Sequence, residues 1–144
     1  MNLQFSIAPF GSDLHQKSIF LRNEILRKPL GLKFSDLELV QETNQHHLVM
    51  VLDNEVAGVT LLVPIDETTY KLRQFAIAES IQGKGYGRKL VAFAEEFSRK
   101  KGCKFIELHA RETACKFYSK SGYKVIGEQF LELEIPHYKM TKKL

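Results

Sequence analysis

At 144 residues, with 44% hydrophobic and 26% charged side chains, the chain is long enough for one domain with a sizeable core and too apolar for disorder, collagen-like repetition or fibrous patterning. Two cysteines, Cys103 and Cys115, are too few for a disulfide scaffold; no Cys/His spacing resembles a metal site, no apolar run nears the ~20 residues that span a bilayer, and Met1 to Gly11 lacks a secretory pattern, so reduced thiols in the cytoplasm are expected. The net charge of +4 is concentrated, because between Gln82 and Lys104 stand Lys84, Arg88, Lys89, Arg99, Lys100, Lys101 and Lys104 against only Glu95 and Glu96.

In chain order, Leu3 to Ile7 alternates as a strand, and Leu14, Ser18, Leu21 and Ile25 recur at helical spacing, predicting an amphipathic helix over Asp13 to Arg27 that Pro29 stops. Ser35-Asp-Leu-Glu38 carries a capping box and predicts a short second helix. Leu48 to Leu52 and Val56 to Val63, separated by Asp53-Asn54, read as a hairpin, and Thr69 to Ile77 as a further strand. Leu90, Phe93, Ala94 and Phe97 form the stripe of a helix ended by Gly102. Lys104 to Ala110 then reads as a strand, Thr113 to Ser121 as a helix ended by Gly122, and Lys124 to Leu131 and His137 to Thr141 as closing strands. With no repeat, low-complexity tract or linker, residues 1–144 read as a single domain of mixed α/β type built around a sheet.

Between the strand ending at Ile77 and the helix carrying Leu90 lies Gln82-Gly83-Lys84-Gly85-Tyr86-Gly87-Arg88. A glycine-rich turn at a helix start can aim several backbone N–H groups and the helix dipole at one anion, and glycine lets phosphate oxygens approach the main chain. A Walker A loop needs Gly-Lys-Ser/Thr at its end, whereas Gly87 is followed by Arg88 and Lys89; the dinucleotide fingerprint needs a third glycine where Arg88 stands. Both nucleotide motifs fail. The surplus of cations here suits nucleic acid, a phosphorylated cofactor, or simply a solvated helix face.

Gln82, Gly85 and Gly87 satisfy the pattern Gln/Arg-x-x-Gly-x-Gly/Ala, and Ala114-x-x-Phe117-Tyr118-x-x-x-Gly122-Tyr123 follows about thirty residues downstream. Together these resemble the GCN5-related N-acetyltransferase (GNAT) superfamily. The stretches Leu21 to Gly31, Leu72 to Ile77 and Ile135-Pro136-His137 are similar to a small bacterial branch of it. The resemblance implies a mostly antiparallel central sheet of about six to seven strands flanked by about four helices. It also implies acetyl-CoA as co-substrate, its diphosphate held by Gln82, Gly83, Lys84, Gly85, Tyr86, Gly87 and Arg88, and its pantetheine arm beside Phe75, Ala76 and Ile77, with the Phe75 N–H polarising the thioester carbonyl.

Tyr118 occupies the family's general-acid position, unless it is only a core aromatic. The glutamate that histone-modifying members use as base corresponds to Lys71, so the base must be sought among His137, Glu132, His109 and Glu24, or in a water chain; His137 ranks first because imidazole titrates near neutrality. Arg22, Arg73, Gln74 and Glu132 are expected to shape the acceptor pocket, where an Arg fork suits a carboxylate-bearing amine, with surface ion pairing as the alternative. Strict alternation puts Arg73 and Phe75 on one face and Gln74 on the other, so all three reach one pocket only if the strand carries a bulge. Arg111 replaces an Asn common in the superfamily, and both cysteines read as inert packing residues. The expected partner is a small-molecule or peptide amine, without nucleic acid or membrane, and a homodimer is compatible with the superfamily. A non-catalytic acyl-CoA-binding domain and a nucleic-acid-binding module are the competing readings; the latter lacks a recognisable motif or aromatic platform.

Overall fold

The computed structural model describes residues 2–144. Strands β1 (Leu3–Ile7), β2 (His46–Leu52), β3 (Glu55–Pro64), β4 (Thr69–Ile77), β5 (Phe105–Arg111), β6 (Lys124–Glu132) and β7 (Ile135–Lys143) form one sheet in the order β1-β2-β3-β4-β5-β7-β6. The β2–β3 hairpin closes where expected: Asp53 and Asn54 take φ of 49° and 69°, the paired left-handed conformation that matches strand twist. Every neighbouring pair is antiparallel except β4 and β5. That parallel step requires a crossover, supplied by helix α3 (Tyr86–Lys100).

Helix α1 (Asp13–Arg22) covers one face of the sheet, packing Leu14, Leu21 and the following Ile25 on Val49, Val59, Leu61 and Ala76. On the other face Val91 and Ala94 of α3 and Tyr118 of α4 (Cys115–Lys120) bury Leu48, Leu72, Ile106, Leu108 and Met140, while Leu90 of α3 packs with Met50, Leu52 and Ile77. Burial of this kind is worth about 1.5–3 kcal/mol per large side chain and holds the sheet between its two layers. The short α2 (Asp36–Val40) begins with the expected capping box, Ser35 Oγ accepting from Glu38 N while Glu38 accepts from Ser35 N.

The helix expected over Asp13 to Arg27 is regular only to Arg22. Asn23–Arg27 widens into a π-turn and Lys28–Leu30 tightens into a 3-10 turn. Pro29 cannot donate to a continuing helix, Gly31 closes the segment at φ 71°, and Asn23 Oδ1 accepts from Phe34 N at 2.9 Å to fold the chain back. The wide turn brings Ile25, Leu26 and Arg27 over the sheet at β4 and β5.

The sheet departs from regularity at two places along β4. First, β4 and β5 pair only from Thr69↔Phe105 to Leu72↔Leu108, although both continue, so beyond Leu72 the sheet opens into a fork. Second, the β3–β4 register passes from Val59↔Ala76 to Leu61↔Arg73, leaving one extra residue on β4. Gln74 takes that place at φ 55°. Thr60, fully buried opposite it, donates its hydroxyl to the Arg73 carbonyl at 2.9 Å, replacing a lost ladder bond.

Candidate active site

The bulge changes which way β4 presents its side chains. Tyr70 and Leu72 lie in the core beneath α3, so Lys71 and Arg73 face α1; after the extra residue, Phe75 again lies with Phe117 and Tyr118, and Ala76 with the α1 layer. Arg73 and Phe75 are thus on opposite faces, correcting simple alternation, and the bulge lets both, with Gln74, line a single cleft. This cleft, about 1050 Å³ in volume, runs through the fork from the β6–β7 turn to the glycine turn. No strand pairs with Gln74 or Phe75 in register on either side, so the inner edge of β4 is open to an extended ligand.

At one end of the cleft the chain turns through Gly83 (φ 78°) and Gly85 (φ 90°), the latter capping α3. Left-handed backbone is inexpensive only for glycine, and a Cβ at either position would meet nothing within 4 Å, so the main chain lies open there. Gly87 is needed for a different reason: a Cβ on it would stand 3.1 Å from the Phe117 ring. Among the described residues none accepts from the backbone N–H groups of Gly83 to Arg88. These unengaged donors at a helix start form a cradle for an anion, with Arg88, Lys116 and Lys120 on its rim. The Gln82 side chain donates to the Ile77 carbonyl at 2.9 Å, tying the turn to β4. The side chains of Lys84 and Tyr86 lie outside the cleft, Tyr86 packing beside Ile81 with Lys89 over its ring. The cationic stretch splits: α3, fifteen residues long, keeps Arg88 and Lys89 well apart from Arg99 and Lys100, since its ends are separated by about 22 Å.

Tyr118 lines the middle of the cleft, 6% exposed between Phe75, Phe117 and Tyr123. Burial pushes its phenol well above the ordinary value, so it stays protonated and able to donate. Tyr123, its neighbour, gives its hydroxyl to Glu95 at 2.9 Å, whereas no described residue bonds the Tyr118 hydroxyl.

Toward the β6–β7 turn, His109, Glu132 and His137 come together. His109 Nδ1 lies 3.0 Å from Glu132 Oε1 and 3.4 Å from Lys71 Nζ. His137, 5% exposed, bonds the Ile135 carbonyl through Nδ1 at 2.7 Å; a carbonyl only accepts, so Nδ1 carries the proton and Nε2, 3.6 Å from Glu132 Oε2, keeps the lone pair of the neutral ring. Burial raises the Glu132 carboxyl, but the hydrogen bond and charge of His109, with His137 and Lys71, outweigh it and hold the group below the usual range. Lys71 is lowered by burial first and by the Arg73 charge second.

Arg22 is corrected: it is no pocket residue. Fully buried, it forks onto Glu42 at 2.8 and 2.7 Å and lies 4.4 Å from the Phe34 ring centre, because the inner face of α1 carries His15, Ser18 and Arg22 rather than apolar residues alone. Glu24 also stays away from the cleft, pairing with Lys28 at 3.4 Å. Arg111, legible in the sequence only as a departure from the superfamily's Asn, reaches from β5 to the Leu26 carbonyl at 3.5 Å and lines the cleft; sequence reasoning missed the α4 pair Lys116 and Lys120, whose four-residue spacing was an available signal. Burial pushes both cysteine thiols up, as suits packing residues. Among the described residues no helix is long and apolar enough to cross a membrane, and no group of three His, Cys, Asp or Glu could hold a metal ion.

Comparison with known proteins agrees with this geometry. A Bacillus subtilis protein, the uncharacterized protein YyaT, is 30% identical over 138 residues, covering 92% of this chain and 90% of its own. Escherichia coli ElaA superposes with a TM-score of 0.84 at 15% identity, over 99% of this chain and all (100%) of that one. A GNAT family acetyltransferase from Elizabethkingia anophelis, solved with acetyl-CoA bound, gives 0.78 at 19% identity, covering 99% of each chain. The family described as Acetyltransferase (GNAT) matches residues 15–123, from α1 through both arms of the fork and the anion cradle to Tyr123, and this chain therefore belongs to the GNAT acetyltransferase family.

Proposed function

We propose that the protein transfers an acetyl group from acetyl-CoA to a primary amine by direct attack while both substrates are bound. The observation that carries this reading is the continuity of the cleft: an open fork edge at Gln74 to Ile77 leads onto six unengaged N–H groups at Gly83 to Arg88. A CoA-like molecule needs that pairing of an extended slot with a diphosphate cradle. When bound, acetyl-CoA supplies an acetyl carbonyl activated as a thioester. Phe75, at the bulge, offers its backbone N–H to charge on that carbonyl oxygen, and the phosphates take the N–H groups of the turn with Arg88, Lys116 and Lys120 around them. The GNAT acetyltransferase with acetyl-CoA bound supports the choice of ligand.

In the reaction the amine nitrogen forms a bond to the acetyl carbon and the carbon–sulfur bond breaks. The Tyr118 phenol donates its proton to the departing thiolate. The proton lost by the amine passes to His137 Nε2, whose imidazolium the Glu132 carboxylate stabilises. The products are an amide and free CoA.

Calorimetry with acetyl-CoA and a thiol-release assay over an amine panel test the reading. Micromolar binding is expected for the native protein, with binding lost in a Gly85→Val variant, whose side chain is strained at φ 90°. An enzyme that ignores acetyl-CoA refutes the proposal; one that binds it without thiol release over the panel is a sensor instead. His137→Ala with an unchanged rate and pH profile would remove the histidine from the mechanism.

A further inference from the structure

The part of the cleft under α1 carries charge that the transfer chemistry does not call for. Lys71 and Arg73 of β4 point to this face, and so does Arg111 of β5, since Ile106, Leu108 and Ala110 point to the opposite layer. Among the described residues no carboxylate pairs with any of the three. Glu107, across from Lys71 in the ladder, is held by Lys139 at 3.2 Å. Among the described residues the sole carboxylate lining the cleft is Glu132, already engaged by His109.

The CoA-like ligand does not account for these cations. Its phosphates belong at the glycine turn, where Arg88, Lys116 and Lys120 stand, while the thioester end that reaches the fork is uncharged. An acceptor amine arrives as a cation, and a chamber in which, among the described residues, Arg73 and Arg111 stand without a carboxylate partner, beside a Lys71 shared with the His109–Glu132 pair, repels a plain amine, and a polyamine more strongly. Half-buried like charges that stand beside one another are what a bound anion would relieve; Lys71 is lowered by burial first and by Arg73 only second.

We infer that the acceptor is a small amine that also carries a carboxylate, of the amino-acid type, its carboxylate held by Arg73 and Arg111 from opposite arms of the fork with Lys71 beside them. The amine end of such a molecule then faces Glu132 and His137, the carboxylate and the basic imidazole at the β6–β7 end of the chamber. This rests on the acetyltransferase reading and specifies its acceptor.

The test uses the full-length enzyme, acetyl-CoA and matched amine pairs that differ only in the carboxylate: α-, β- and ω-amino acids against their carboxamides or the corresponding alkylamines, with spermidine as a polycation. Thiol release reports turnover and calorimetry reports acetyl-CoA binding separately. The carboxylate-bearing member of at least one pair should be preferred by at least about tenfold in kcat/KM, and Arg73→Gln or Arg111→Gln should each erase about 10–100-fold of it while acetyl-CoA affinity holds. Because Arg111→Gln also removes a contact to the π-turn, Arg73→Glu provides the second arm: it should turn preference toward uncharged or cationic amines, a gain that misfolding cannot produce. Equal rates within every pair, turnover confined to polyamines, or no turnover of any carboxylate-bearing amine by an enzyme that binds acetyl-CoA overturns the inference and leaves the acetyl-CoA site standing. Failure to bind acetyl-CoA removes both.

Discussion

Arg22 and Tyr118 are both nearly sealed from solvent, and their neighbours decide what each does. Arg22 and Glu42 pair with one another in the core, twenty residues apart, so no local pattern could link them, and in the sequence Arg22 reads only as an arginine that could fork onto a carboxylate-bearing amine. Removing one partner strands the other's charge: Arg22→Ala should cost about 3–5 kcal/mol in denaturant unfolding, whereas Arg22→Met with Glu42→Leu should restore most of it. A loss under about 1 kcal/mol for the single variant contradicts a buried pair of this kind. Tyr118, by contrast, was legible because its motif is local, running from Ala114 to Gly122 and framing an aromatic pair on one short helix. Its hydroxyl has no partner among the described residues and its phenol is held protonated by burial, so Tyr118→Phe removes a proton donor and little else. Turnover should fall on the order of 10²-fold, the low end for an acid because a thiolate leaves readily, while KM for acetyl-CoA stays within about twofold. Unchanged turnover would make Tyr118 a packing residue.

At the scale of elements, most strands and helices were legible from periodicity and turn residues: Asp53-Asn54, Gly102 and Gly122 all end or join elements where they should, whereas the regular part of α1 stops at Arg22, well before Pro29. The bulge at Gln74 was legible only as a condition, that Arg73, Gln74 and Phe75 could not share a pocket without one. One extra residue leaves composition and hydrophobicity unchanged, so alternation alone cannot announce it. Thr60 is what fixes the bulge, since its hydroxyl bonds the Arg73 carbonyl where β3 has no ladder partner to offer. Thr60→Val keeps the shape and deletes that donor. It should lower stability by about 1–3 kcal/mol, the penalty for a carbonyl left unsatisfied, and lower kcat several-fold through the neighbouring Phe75 N–H. Urea unfolding with steady-state kinetics separates the two effects; an unchanged kcat would confine Thr60 to stability.

For the molecule as a whole, strand order was beyond the sequence. Each strand's own alternation says which residues are buried, not which strand lies beside it, and the β5-β7-β6 edge departs from chain order. The same long-range assembly buries His15 and His47 against each other, ring centres 4.7 Å apart, near the Arg22–Glu42 pair. His15 Nδ1 accepts from Gly11 N and His47 Nε2 donates to the Glu42 carbonyl, which leaves each ring one protonated nitrogen in its neutral form. Burial, the largest cause, lowers both below the ordinary histidine value; the charges of His47 and Arg22 add to it for His15, and that of Arg22 for His47. Above about pH 6.5 neither the folded nor the unfolded chain is protonated at these rings and the fold is at full stability, while below it the unfolded chain takes up protons that the buried rings refuse. Stability should therefore fall as pH drops from about 6.5 toward 5, by up to about 1.4 kcal/mol per pH unit for each ring. The carboxyls of Glu38, Asp66 and Glu132, all held low, lose their share only at more acid pH, so the two declines separate in a series of melting curves. A melting temperature that stays flat between pH 7.5 and 5 would mean that these rings are already protonated in the folded chain, and the neutral His15–His47 pair would have to be abandoned.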